Sequence, residues 1–143
     1  MIEKKNFYIN GKWVSPSKPN NFEVIDPSTE EPFAIISLGS IEDTDKAISA
    51  AKNAFETWRE SSKEKRLSLL EKFDQIYNRR WDEMVKAQST EMGAPLDYAS
   101  ETHTKMGADI SKNTIKILKD FNFEHQFDPK SNNHIRYEPI GVC

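Results

Sequence analysis

Arg136-Tyr137-Glu138-Pro139-Ile140-Gly141-Val142-Cys143 ends the sequence on a run that has just turned apolar and β-prone. A strand there needs a partner strand or a covering layer to satisfy its backbone and bury its side chains. The 143-residue sequence holds nothing downstream to supply either. The expectation from this stretch is a truncated piece of a larger fold, completed by a body the sequence does not contain.

Immediately upstream, Asn122 to Asn133 is polar and holds Pro129, which predicts an exposed connection. Before it, Leu96, Ala99, His103, Met106, Ile110, Ile117 and Phe121 fall near one face of a long helix, whose apolar character Thr102 and His103 interrupt. Glu91-Met92-Gly93-Ala94-Pro95 reads as a tight corner, with Gly93 as the left-handed residue that closes one helix and Pro95 as the first residue of the next. Leu69, Leu70, Phe73, Ile76, Tyr77, Trp81, Met84 and Val85 form an earlier stripe, on one helix or on two broken near Arg80. Ser61 with Glu64 offers it a capping box, and Ser40 with Asp43 offers another to a helix carrying Ile41, Ala47, Ile48, Ala51, Phe55 and Trp58 on one face. The first quarter reads as a small β-meander. Its hairpin is Phe7 to Val14, turned at Asn10-Gly11, and strands Asn21 to Asp26 and Pro32 to Leu38 follow.

Mean hydropathy of -0.74 leaves such a chain a thin core of its own, so docking against a larger body is expected. A net charge of -3, from 20 basic and 23 acidic residues interspersed, gives no basic patch for nucleic acid or an anionic membrane, and neither partner is expected. The single cysteine excludes an internal disulfide and fits a reducing, cytoplasmic setting. Glu3, Lys4, Lys5 and Asn6 follow Met1 with no hydrophobic segment of the length secretion uses, and no run of about 18 apolar residues is present.

Catalytic motifs are missing: there is no G-x-G-x-x-G, no P-loop, no H-E-x-x-H and no G-x-S-x-G. His103, His125 and His134 are too dispersed for a metal cluster, and packing or loop roles are expected of each. Cys143 follows Ile140-Gly141-Val142, which reads as structural burial in an apolar strand, because an activated thiol needs an electropositive, accessible setting. At the Glu91 corner a carboxylate near the Val24-Ile25 strand could join backbone carbonyls around a cation, and a plain solvated helix end is the alternative.

The order of these segments resembles the N-terminal part of the NAD(P)-dependent aldehyde dehydrogenases. The pieces that carry the resemblance begin with Tyr8-Ile9-Asn10-Gly11-Lys12-Trp13-Val14 and Val24-Ile25-Asp26-Pro27-Ser28-Thr29. Asp45-Lys46-Ala47-Ile48 through Ala50-Ala51-Lys52-Asn53-Ala54-Phe55 and Trp58 come next, then Glu91-Met92-Gly93-Ala94-Pro95 and Tyr137-Glu138-Pro139-Ile140-Gly141-Val142. Nearly the whole chain is covered.

The resemblance implies an α/β chain within the aldehyde dehydrogenase fold. Residues 1–39 would be the β-meander, 40–121 the helical part of the cofactor-binding domain, 122–134 a connecting loop, and 135–143 the start of an oligomerisation strand. It implies a complete enzyme that oxidises an aldehyde to a carboxylic acid with NAD or NADP through a cysteine thiohemiacetal, in a homo-oligomer. The nucleophile, the base and the dinucleotide motif of that family match no residue here, so no catalytic or cofactor-binding residue is assigned and the chain alone is expected to be inactive. Cys143 matches a strand position and not the nucleophile. By the same resemblance Thr102 and Met106 match places lining the aldehyde tunnel, with core packing as the alternative. Val24, Ile25 and Glu91 match a monovalent-cation site, with Glu91 replacing the more usual aspartate. The competing reading is a stand-alone helical interaction module without enzymatic activity, or the inert product of a truncated reading frame.

Overall fold

In the computed structural model, which describes residues 1–143, Asn10 and Gly11 have φ of 53° and 74°. A two-residue hairpin turn requires two such left-handed residues. They join β2 (Phe7–Ile9) to β3 (Lys12–Val14) in antiparallel register, and Tyr8 opposite Trp13 packs edge to face with ring centroids 5.3 Å apart. A second hairpin joins β4 (Asn21–Asp26) to β5 (Glu31–Ser37). In its turn Asp26 accepts backbone hydrogen bonds from Thr29 and Glu30, and its carboxylate accepts one from Ser28.

The expected meander is not how these strands connect. β1 (Ile2–Lys4) lies parallel to β5, giving a three-stranded sheet in the order β1, β5, β4, while β2 and β3 form a separate two-stranded ribbon. The parallel pairing joins residues about thirty positions apart in sequence and takes the free edge of β5 that a meander would have left to a sequential neighbour. β1 itself has no alternation of apolar and polar residues to mark it as a strand.

Ser40 caps α1 (Ile41–Trp58) with the reciprocal box its sequence predicts: its hydroxyl accepts from the Asp43 amide while the Asp43 carboxylate accepts from the Ser40 amide. The next helix starts one residue later than expected. The Ser61 amide is occupied by the Trp58 carbonyl, so Ser62 becomes the cap of α2 (Lys63–Arg79), accepting from the Lys65 amide at 3.1 Å. Arg80 leaves helical geometry and separates α2 from α3 (Trp81–Met92). Gly93, at φ 67°, then closes α3 in the left-handed conformation. Pro95 caps the following helix from outside rather than opening it, its carbonyl accepting from Ala99.

From Leu96 the chain is helical to Asp120, but it is not uniformly α. A short α turn, α4 (Leu96–Tyr98), passes into a π-helical segment (Ala99–Thr104) and then into α5 (Lys105–Asp120). Lys63 reaches the open end of α5, donating to the Lys119 and Phe121 carbonyls. Cations are favoured at that pole of a helix. The polar segment that follows is not a bare connection either. β6 (Glu124–Gln126), inside it, pairs antiparallel with β7 (His134–Arg136), where the expected final strand begins, supported by contacts among Phe121, Phe123 and Tyr137.

The core is thin. Ala34, Ala99 and Ala108 are the buried apolar residues, and they sit where β5 meets its sheet and where the π segment and α5 meet α2 and α3. The aromatic residues of the helical stripes are covered only in part: Trp58 is 43% and Phe73 54% exposed, while Phe55 and Trp81 are half-buried. No helix is long and apolar enough to cross a membrane.

Candidate functional site

The Glu91 to Pro95 corner is seated on the β4–β5 turn. A Cβ placed on Gly93 would stand 2.9 Å from the Pro27 side chain and 3.4 Å from that of Ser28, so α3 can approach the turn this closely only with glycine there. Ser89 fastens the corner from inside by donating to the Ala94 carbonyl at 2.8 Å. The same packing carries α3 against β4, the strand of Val24 and Ile25. Pairing with β5 is irregular between those two residues, and Ile25 stands opposite Pro32, which has no amide hydrogen to offer. Val24 is half-buried, while Ile25 and Glu91 are exposed. The elements of the expected cation site are thus neighbours, and its donors are all oxygen.

Thr102 lies in the middle of the π segment and is half-buried; Met106, one turn later on α5, is 51% exposed. Together with Glu101, Lys105, Asp109 and Ile110 they line an open trough of about 480 Å³. Two aromatic side chains hold the opposite side of this turn. Trp81 Nε1 donates to Ser100 Oγ at 3.1 Å, and the Tyr77 hydroxyl donates to the Thr104 carbonyl at 3.1 Å. Sequence reasoning placed both only on an apolar stripe. Their polar atoms were the signal available, since a buried Tyr or Trp usually needs a partner for its O–H or N–H.

A larger concavity than the trough lies elsewhere, an open groove of about 640 Å³ between the β2–β3 ribbon and α1. On its wall Asp43 is 5% exposed and accepts from the Ser17 amide at 2.8 Å, the Ser40 amide at 2.9 Å and the Ser40 hydroxyl at 2.7 Å. Those bonds, the Ser40 amide first and the Ser17 amide next, hold its carboxyl far below the ordinary aspartate range. A carboxylate so engaged has no proton to give at neutral pH. Asp43 ties the loop after β3 to the start of α1 and is not an acid or base.

His103 packs edge to face on Tyr98, His125 lies 6.0 Å from the Tyr137 ring, and His134 stands 4.0 Å from Glu124. The three are not brought together. No group of three or more His, Cys, Asp or Glu side chains converges anywhere. Cys143 is exposed, contrary to the burial expected of it. Beyond the Tyr137 amide, which bonds the Phe123 carbonyl, residues 137–143 form no strand, so no sheet covers the thiol.

Comparison with known proteins gives a consistent assignment. The family model described as the aldehyde dehydrogenase family matches residues 13–143. A 3-succinoylsemialdehyde-pyridine dehydrogenase from a Pseudomonas species is 38% identical over 144 residues, which are 100% of this chain and 30% of that protein. The crystal structure of an aldehyde dehydrogenase from Bartonella henselae superposes with a TM-score of 0.90 at 48% identity, over 92% of this chain and 28% of its own. That of a mutant aldehyde dehydrogenase C from Pseudomonas syringae, in complex with NAD+ and octanal, gives 0.82 at 31% identity, over 85% and 25%. The chain therefore spans less than a third of the length of these relatives.

Proposed function

The chain belongs to the aldehyde dehydrogenase family, and from that premise we propose that it serves as the N-terminal scaffold and one substrate-facing wall of an enzyme oxidising an aldehyde to a carboxylic acid. The observation that carries this reading is the Bartonella henselae match, 48% identity with a TM-score of 0.90 over 92% of the chain. A nicotinamide dinucleotide, NAD or NADP, would supply the hydride acceptor. Glycine-rich phosphate-binding turns are absent from the sequence, and no residue of this chain is given a part in holding the dinucleotide. The reacting groups are likewise assigned to the portion of the relatives that this chain does not span, and the chain by itself would be inactive.

On this reading Thr102 and Met106 bound the aldehyde channel by shape, one β-branched and one flexible side chain along the trough. The Val24 and Ile25 carbonyls and the Glu91 carboxylate would hold a monovalent cation, in keeping with their all-oxygen chemistry. The β6–β7 hairpin and the tail that follows would extend a contact between subunits of a homo-oligomer by strand addition. A cytoplasmic setting fits the single cysteine.

The test is a chimera in which this chain replaces the matching segment of the Bartonella henselae enzyme, assayed for reduced cofactor with aliphatic and aromatic aldehydes. The expected result is turnover by the chimera and none by the chain alone. Met106→Ala should alter KM among aldehydes of different length, and Glu91→Gln should weaken any dependence on potassium. A folded, oligomeric chimera that binds cofactor yet oxidises no aldehyde would overturn the reading.

A further inference from the structure

The π-helical turn between Ala99 and Thr104 is held in place by side chains from a single corner of the fold. Its register is set where the Lys105 amide reaches back five residues to the Ser100 carbonyl. Such a bulge accommodates one extra residue and, at 3.6 residues per α turn, rotates everything beyond it by about 100° relative to an uninterrupted α-helix. Side chains after the bulge therefore face a direction that depends on the bulge surviving.

Two donors grip its ends. Trp81 Nε1 bonds Ser100 Oγ at the beginning, and the Tyr77 hydroxyl bonds the Thr104 carbonyl at the end, each at 3.1 Å. Tyr77 and Trp81 flank the break at Arg80, so the interruption between α2 and α3 delivers both rings to one side of the π turn. The fit at Tyr77 is built for its hydroxyl. A Cβ on Gly107 would run into that oxygen and stand 3.0 Å from ring carbon Cζ. Thr104 is wholly buried beneath this contact, and its own hydroxyl has no partner. The carbonyl bond from Tyr77 is thus the polar link made to that residue from outside the helix.

We infer that Tyr77 and Trp81, with Gly107 as the vacancy that admits the Tyr77 hydroxyl, are positioning residues that hold the π turn and so set where Thr102 and Met106 stand on its open side. The inference rests on the proposed aldehyde-facing role of those two side chains. It adds specificity-determining residues that touch no substrate. Losing one donor should loosen the turn without removing any wall of the trough, so long aldehydes that reach Thr102 and Met106 should suffer while short ones do not.

The experiment has two arms, which separate this inference from the reading it rests on. In the first, amide hydrogen exchange is followed in the full chain and in Tyr77→Phe, Trp81→Phe and Gly107→Ala. The expected result is faster exchange confined to residues 99–108, about five-fold for the loss of one hydrogen bond. Tyr77→Phe combined with Gly107→Ala should cost less than the sum of the two, because the oxygen that clashes is gone. Unchanged exchange in that segment, or equal acceleration throughout the chain, would overturn the clamp. In the second, the chimera is assayed with octanal and with propanal. Tyr77→Phe should raise KM for octanal about five-fold at constant kcat and leave propanal unaffected. Equal changes for both aldehydes alongside selective exchange would keep the clamp and overturn its role in specificity, and an inactive parent chimera would count against the proposed function alone.

Discussion

At the scale of single residues, Asp43 and Gly93 fix how segments distant in sequence meet, and each makes a prediction. The carboxyl of Asp43 is held far below its ordinary value by the Ser40 and Ser17 amides. A depressed carboxylate stabilises the fold above its unfolded value, about 3.9, and that contribution is lost as pH falls through the folded value. Urea midpoints should therefore drop below about pH 4, and Asp43→Asn should be less stable at neutral pH with a flatter acid limb; parallel profiles would refute this role. Removing the hydroxyl of the cap itself, Ser40→Ala, should cost about 1 kcal/mol. Gly93→Ala joins two penalties, the left-handed φ of 67° and a 2.9 Å approach to Pro27. It should lose about 1–3 kcal/mol and exceed Gly11→Ala, where φ is 74° but nothing lies within 4 Å. Equal losses in thermal melts would show that the seat on Pro27 is soft.

At the scale of elements, helices differ in how they are held. The π segment and α5 pack against α2 and α3, whereas the principal contact of α1 is with the short strand β2. Ile48 and Trp58 on α1 remain exposed, so its apolar stripe is largely unused within the chain. Amides of α1 should exchange faster than those of α5, and protection of α1 equal to that of α5 would contradict this ranking. Features set by local chemistry were legible in the sequence: the Asn10-Gly11 turn, the Ser40 and Asp43 box and the Gly93 corner, whereas the stripe from Leu69 to Val85 fitted an unbroken helix as well as the break at Arg80. What escaped was non-local or turned on hydrogen-bond register. β1 is a strand because β5 offers it an edge, and β6, within the polar stretch, is a strand because the expected final strand, seen as β7, pairs with it. α and π turns accept the same residues, so Thr102 and His103, which interrupt only the apolar character of the expected long helix, gave no sign of the π segment. At the site, the trough side chains Thr102 and Met106 came from family resemblance, and their role as a channel wall stands as a proposal. The polar tips of Tyr77 and Trp81 disappeared into an apolar pattern.

At the scale of the whole molecule, surface area decides how the chain behaves by itself. A folded monomer of 16.5 kDa is expected to expose about 7,600 Å², yet this chain exposes 11091 Å². The excess, about 3,500 Å² on this one chain, is more than the roughly 1,000–2,500 Å² per side that permanent subunit interfaces commonly bury. Much of it is apolar, since Ile41, Trp58, Phe73, Leu96, Met106, Ile110 and Ile117 are all exposed, where soluble monomers tolerate contiguous patches of only a few hundred Å². The residues after β7 add unpaired backbone that another copy can meet edge to edge. The isolated chain should show helical far-ultraviolet dichroism, because the helices close their own hydrogen bonds, together with a broad melt, because α1 packs on β2 and is not coupled to the other helices. Its sedimentation coefficient should rise with concentration, and co-expression with the rest of the Bartonella henselae relative, of which this chain matches 28%, should suppress that rise by covering the apolar faces. A sharp two-state melt with a monomeric profile at high concentration would mean that the exposed stripes do not drive association, and would return the chain to the class of self-sufficient helical modules.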